Sequence, residues 1–301
     1  GNREDLSDII YNISPTDTPF MSSIGKEKAE GTLHEWQTDA LAAAATNAQV
    51  EGDEIAFTAV VPTSRINNRT QISRKSVIVS GTQDTVNTAG RNQELAYQIS
   101  KNAKELKRDM ELVLCNNQSA AVGGAAAART SSGLASWIQT NINAIGANGA
   151  IGGVDTPGIL RTNGTQRAFT EAQLKGVAAS CWNSGGDPSM IMLGSFNKQK
   201  LSGFTGGSTK MTQADDKKLV AAIDIYESDF GSMTVVPNRF SRSRDVFVLQ
   251  PDMWAVAYLR DFQMIDLAKT GDAQKKAMLA EYTLVAKNEA ANGAIFDLTT
   301  A

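Results

Sequence analysis

The sequence predicts an α+β fold, and three features predict it. A long stretch from Glu94 to Asn116 places Leu95, Ile99, Ala103, Leu106, Met110 and Val113 at three- and four-residue steps, the spacing of one helix face. Ahead of it, residues 32–80 are extended and rich in β-branched side chains, yet polar on both faces. Behind it, strand-like runs alternate with turn residues: "DVFVL", "WAVAYL", "FQMIDLA", "AMLAEYTLVAKN" and "AIFDL". The chain has 301 residues, 42% of them hydrophobic, which is ample material for a large core.

Residues 1–31 read as an arm. Ser14-Pro15 with Asp17, and then Thr18-Pro19, each offer a helix start, and Gly25 is expected to stop the helix. Phe20, Met21 and Ile24 are the arm's apolar anchor; they need burial, and the chain around them is polar. In the extended region, "TLHEWQTD" and "RINNRTQISRKSVIVSG" form two strands joined by a soft tip, "ALAAAATNAQVEGDEIAF". One face of the second strand carries Ile66, Asn68, Thr70, Ile72, Arg74, Ser76 and Ile78; the other carries Arg65, Asn67, Arg69, Gln71, Ser73 and Lys75. Such a hairpin cannot offset the roughly 1–2 kcal/mol that ordering each residue costs, so it must lie on something else. Its stem is basic through Arg65, Arg69 and Arg74, and its tip is acidic through Glu51, Asp53 and Glu54. The expectation is an arm that pairs with a neighbouring copy, stem against tip.

On the long helix, Lys107 and Arg108 are expected to pair with Glu111 on the outer face. Residues 119–164 are rich in Gly, Ala, Ser and Asn, broken by "SGLASWIQTN" with Leu134, Trp137 and Ile138 as anchors. Thr170 and Gln173 form a capping box for a helix that buries Leu174, Val177, Ala178 and Cys181. Gly185-Gly186 ends it, "SMIML" is a strand, and Ser195 is expected to cap the helix that follows. Near the end, Asn292-Gly293 is a hairpin signal, and "KTGDAQKK" is a charged hairpin tip holding Lys269, Asp272 and Lys275.

Signatures of enzyme chemistry are largely missing. His34 is the single histidine, and "HEWQT" fails the H-E-x-x-H spacing at its last position. The two cysteines, Cys115 and Cys181, fall on apolar helix faces and read as buried thiols. "LGSFN" places Ser195 between strand and helix, but without a G-x-S-x-G frame or a nearby base it reads as ordinary helix capping. "SGFTGGSTK" matches no phosphate-binding loop, and neither Asp215-Asp216 nor the Glu51–Glu54 acids follow a calcium-loop spacing. No catalytic residue, cofactor or metal is therefore expected. A net charge of −3 argues against a dedicated nucleic-acid grip. No apolar run reaches the roughly 18 residues of a membrane span, and no signal peptide opens the chain. Because the chain opens on Gly1 instead of Met, residues upstream are expected to have been removed or left out.

The order of these parts, together with "ISPTDTPFMSSIGK", "SGLASWIQTN", "AFTEAQLKGVAASCWNSGGDPSMIMLGSFNKQKLSGF" and "VVPNRFSRSRDVFVLQPDMWAVAYLRDF", resembles the major capsid proteins of tailed bacteriophages, with their Hong Kong 97-type fold. The resemblance implies an N-arm at 1–31 and an extended loop at 32–80. It implies a peripheral domain with a spine helix at 81–125 and 255–288, and an α/β axial domain at 126–254 and 289–301. It implies a virion protein that forms pentamers and hexamers of an icosahedral shell assembled in the host cytoplasm. The implied partners are portal, scaffold or decoration proteins and packaged double-stranded DNA, held without sequence specificity; no membrane is implied. Lys269, Asp272 and Lys275 would meet neighbours at threefold positions. A cellular nanocompartment shell is the alternative on the same fold. A Ser195 hydrolase and a tail or adhesin component are the readings from other classes. Some relatives in that family join a loop lysine to a neighbour's asparagine. Here no lysine lies between Lys28 and Lys75, so no such crosslink is expected.

Overall fold

In the computed structural model the described residues are 14–55, 57, 59–86, 93–146, 160–204 and 224–300. Proline at the first helical position starts α1 (Pro19–Ser23), because its fixed φ suits the first turn. The start expected at Ser14-Pro15 does not form: residues 14–18 are irregular. Gly25 does not stop the helix either. Ile24 is already extended, and Gly25 opens β1 (Gly25–Lys28).

β2 (Leu33–Thr38) and β3 (Ser64–Arg69) form the expected antiparallel hairpin, with Trp36 opposite Ile66. The second strand, however, is not continuous. It breaks at Thr70, whose N–H bonds Thr32 O (2.9 Å), and β4 (Gln71–Ser80) leaves the hairpin for another sheet. A short helix α2 (Gly81–Thr85) follows, then the long α3 (Glu94–Cys115). Its 22 residues rise about 33 Å at 1.5 Å each. The fully buried part of its apolar stripe is Leu106, Met110 and Leu114 with Cys115, while Leu95, Ile99, Ala103 and Val113 are half-buried.

Next come α4 (Leu134–Trp137), β5 (Asn141–Asn143) and α5 (Glu171–Asn183). Gln173 reaches back to the Thr170 N–H (3.1 Å), as the capping box requires. β6 (Met190–Leu193) leads into α6 (Ser195–Ser202). Gly194 occupies the cap position there, so Ser195 is the first helical residue and not the cap. β7 (Ile225–Ser228), β8 (Gly231–Pro237) and β9 (Val246–Leu249) follow. "WAVAYL" and "FQMIDLA" are one strand, β10 (Trp254–Asp266), bent by register shifts between Tyr258 and Arg260 and between Arg260 and Gln263. It turns through the exposed "KTGDAQKK" tip into β11 (Ala273–Ala286).

Asn292-Gly293 is not a hairpin turn. Asn292 is buried, and its Oδ1 accepts from Gln250 N (2.7 Å) and Trp254 Nε1 (2.8 Å). Gly293 opens β12 (Gly293–Ile295) where a Cβ would meet Val177 Cγ1 at 2.4 Å. Close packing under α5, not a turn, is what requires glycine there.

The strands form three sheets: β1-β10-β11-β4, β5-β12-β9-β6-β8-β7, and β2-β3. β6 and β9 are buried at every position because the six-stranded sheet has a core on each side. Met190, Met192, Phe247 and Leu249 face a core shared with α3, Trp137, Trp254, Tyr282 and Phe296. Ile191, Leu193, Val246 and Val248 face the second core with Leu174, Val177, Cys181 and Leu201 of α5 and α6.

Candidate functional site

The arm is seated on its own subunit. Phe20 packs edge-on against Trp254 (6.4 Å between ring centroids), Ile24 is buried, and Met21 is half-buried against the same core. What holds α1 is a side chain the sequence places elsewhere. Glu111 is fully buried and does not pair with Lys107 or Arg108 on an outer face. Its Oε1 accepts from Phe20 N (2.8 Å) and Asn238 Nδ2 (2.7 Å), and its Oε2 accepts from Met21 N (2.9 Å). Burial pushes its pKa up, and the three hydrogen bonds oppose that shift. Lys107 lies instead over the Phe262 ring, 5.9 Å from its centroid.

Beside the seated arm opens a pocket of about 770 Å³. Met21, Ile24, Leu259 and Phe262 give it an apolar floor, and Lys26, Lys28 and Lys107 contribute three cations. Glu27 and Asp261 also line it, with Glu27 paired to Lys287 (3.0 Å).

The loop tip is the opposite kind of surface. Between β2 and β3 the described residues form neither helix nor strand, and Leu41, Val50, Ile55, Phe57, Val60 and Val61 are exposed, Leu41 at 99% and Phe57 at 93%. Glu51, Asp53 and Glu54 are exposed on a turn closed by Asp53 N to Val50 O (3.2 Å).

The stem is docked in cis despite its polarity. Asn68 donates to Leu284 O (2.7 Å) and Ser132 O (3.2 Å) and accepts from Ser132 N (2.9 Å); Thr70 Oγ1 donates to Glu281 (2.9 Å). Of the stem cations, Arg65 pairs with Glu35 (3.5 Å), Arg69 is half-buried and Arg74 is exposed. Lys75 pairs with Asp109 of α3 (2.8 Å). The stem is thus partly neutralised within its own subunit. At the peripheral tip, Gly271 takes a positive φ (112°), Asp272 O accepts from Gly81 N (3.1 Å), Lys275 bonds Thr270, and Lys269 is exposed.

In the axial layer, Asp297 (φ 62°) gathers three other segments of the chain. It accepts from Ile145 N (3.1 Å), Gly146 N (2.9 Å) and Gly164 N (2.8 Å), and lies 3.0 Å from both Arg161 and Arg244. Burial raises its pKa, but the hydrogen bonds from Arg161, Gly146 and Gly164 win and hold it well below the usual carboxylate range.

Reactive chemistry is not assembled. His34 is half-buried against Trp36 (5.8 Å), where burial lowers its pKa against a smaller opposing effect of Glu27. Among the described residues no three His, Cys, Asp or Glu side chains gather as a metal site, and no helix is long and apolar enough to cross a membrane. Ser195 is exposed, with no hydrogen bond to a base among the described residues. Cys115 and Cys181 are buried free thiols; burial raises both, Cys181 to about 12. Asp215-Asp216 and most of "SGFTGGSTK" lie outside the described residues.

A docked arm, an unsupported apolar loop and a long exposed hairpin tip on a two-layer body describe a shell subunit. A family model described as SU10 major capsid protein matches residues 1–299. The chain belongs to that family. This capsid protein is 29% identical to the major capsid protein of Escherichia phage Phieco32, over 98% of this chain and 94% of that one. Its fold matches the capsid of a native GTA particle with a TM-score of 0.65 at 11% identity, covering 99% of this chain and 96% of that one. It matches the cyanophage A-1(L) capsid with a TM-score of 0.63 at 13% identity, covering 100% and 98%. The fold is the Hong Kong 97 type, and the capsid protein is the major capsid protein of a tailed phage, a virion component that assembles into a multi-subunit shell. Its family is structural, not enzymatic.

Proposed function

We propose that the capsid protein forms pentamers and hexamers that close an icosahedral head around a double-stranded DNA genome. Assembly takes place in the host cytoplasm, with portal and scaffold or decoration proteins as further partners. The observation that carries this reading is the loop tip, with six large apolar side chains exposed and no core beneath them among the described residues. Burying each contributes roughly 1.5–3 kcal/mol, so a neighbour that covers the tip gains on the order of 10 kcal/mol before ordering costs. The arm pocket of a neighbouring copy fits that role. Its apolar floor suits Phe57 and Ile55, and Lys26, Lys28 and Lys107 complement Glu51, Asp53 and Glu54. Lys269, Asp272 and Lys275 then form a second contact, between capsomers.

In this reading the arm spans 1–31 and the axial domain 126–254 and 289–301, while the peripheral domain, expected at 81–125 and 255–288, takes in β4 as well. The extended loop ends at Thr70, because β4 belongs to the peripheral sheet. A net charge of −3 suits a container that must release its genome. Electron microscopy of the expressed chain tests the reading: closed shells of pentamers and hexamers support it, and tubes, trimers or lone subunits with a protease-resistant tip overturn it. Deleting residues 40–61 should leave a folded subunit that forms no stable shell.

A further inference from the structure

Four of the most deeply buried carboxylates of this subunit are handled in two ways. Asp245 lies against Arg242, Glu281 against Arg129 and Arg260, and Asp297 against Arg161 and Arg244. Glu111 is as deeply buried, but among the described residues no cation pairs with it. It is satisfied by three neutral donors from two other parts of the chain: Phe20 N and Met21 N of the arm, and Asn238 Nδ2 at the end of β8. A carboxylate without a countercharge depends on every donor it has, since each missing bond leaves a desolvated charge undersatisfied.

The three partners differ in how they can respond. α3 is fixed by Leu106, Met110 and Leu114 in the main core. Asn238 is fixed to the axial sheet by its N–H to Leu193 O (2.9 Å) and by its Oδ1, which accepts from Phe240 N (2.9 Å). The arm is the lightest cover, a helix of five residues anchored by Phe20 and Ile24. If Asn238 withdraws, the five-residue arm helix is the partner with the least to hold it in place over Glu111. Asn238 and Phe20 N share one oxygen, Oε1, and the Asn238 amide otherwise has only Met192 Sδ (3.3 Å) and Cys115 Sγ (3.6 Å) nearby.

We propose that Glu111 couples the seating of the N-terminal arm to the position of the axial sheet on the spine helix: the arm stays down only while Asn238 stays on Glu111. Coupling of this kind is reciprocal, so a neighbour that holds the arm down also holds the axial sheet against α3. A rearrangement of the shell that slides one layer over the other then frees or seats the arm through a single side chain.

Hydrogen exchange on unassembled full-length subunits tests this. Asn238→Ala removes a donor that does not touch the arm. It is expected to speed exchange of the peptide covering residues 14–28 by at least about tenfold, the scale of one hydrogen bond to a charge. Peptides of β11 and of the buried turns of α3 keep wild-type rates. Asn238→Ser, whose hydroxyl can still accept from Phe240 N, serves if the alanine variant does not fold. Glu111→Gln speeds the same arm peptide, and combining it with Asn238→Ala adds little, because both act on one contact. Wild-type arm exchange in both Asn238 variants overturns the coupling even if Glu111→Gln frees the arm. A uniform acceleration of all peptides overturns it too, since that is general loosening.

Discussion

Two aspartates in one arginine cluster are driven in opposite directions, and the reason is hydrogen bonding. Asp297 receives three backbone N–H groups, whereas Asp245 Oδ2 lies 3.0 Å from Arg242 and neither Asp245 oxygen accepts a hydrogen bond among the described residues. Burial pushes Asp245 up to about 6, with Arg242, Arg161 and Arg244 opposing. Its folded value thus exceeds the unfolded value of about 3.9, so the folded state binds the proton more tightly. The stability it contributes is full below pH 4 and is lost as pH rises through 6. Asp297 has the reverse sign and acts only below pH 4, and His34, lowered by burial, also has the sign opposite to Asp245. The clean readout is therefore a difference: thermal unfolding of subunits should show Asp245→Asn gaining on wild type between pH 5 and pH 7. Equal pH profiles for the two proteins exclude this assignment. Glycine offers a second contrast at single residues. A Cβ at Gly293 meets Cys181 Sγ at 2.8 Å and Asn141 O at 2.9 Å, while one at Gly176 meets nothing within 4 Å. Gly293→Ala should cost about 1–3 kcal/mol in urea unfolding, and Gly176→Ala, inside α5, should add about 0.5–1 kcal/mol.

At the scale of elements, hydrophobic period and capping chemistry carried the sequence a long way. The α3 stripe, the Leu134/Trp137/Ile138 anchors, the Thr170–Gln173 box, the strands β6 and β9 and the Gly271 tip are all local patterns, and all are found. What could not be read is whatever a distant partner decides. Asn68 and Thr70 look like solvent-facing strand residues until Ser132, Leu284 and Glu281 come to meet them. Glu111 looks like an outer-face residue because the N–H groups it accepts from lie some ninety residues away in the chain. Asn292-Gly293 looks like a turn because the crowding by Val177 is invisible in one dimension. Polarity was thus a poor guide to exposure in the hairpin, and its docking can be measured. Asn68→Ala leaves Ser132 N and Leu284 O without partners, so about 2 kcal/mol or more should be lost. Hydrogen exchange should rise first in β2 and β3, and unchanged exchange there means the stem is held by other contacts.

For the whole molecule, the decisive feature is a complementarity within one subunit: an acidic tip whose large apolar side chains are exposed, and a pocket lined by Met21, Ile24, Leu259 and Phe262 with Lys26, Lys28 and Lys107 at its edge. No lysine lies between Lys28 and Lys75, so the tip offers no lysine for a crosslink to a neighbour's asparagine. Mature particles boiled in detergent should run as a single subunit band. If the tip of one copy sits in the arm pocket of the next, charge must matter at both ends and its sign must be exchangeable. Replacing Glu51, Asp53 and Glu54 by lysine sets like charges against Lys26, Lys28 and Lys107, a juxtaposition that costs several kcal/mol per contact when desolvated. Subunits carrying that change should fold but fail to close shells. Replacing the three pocket lysines by glutamate should fail in the same way, and a chain carrying both sets should assemble again, because a ring of identical copies restores every tip–pocket pair. Rescue in the doubly changed chain cannot come from general solubility, since its net charge equals that of the wild type. Failure of rescue, with each singly changed chain still folded, places the tip on some other surface of the neighbour.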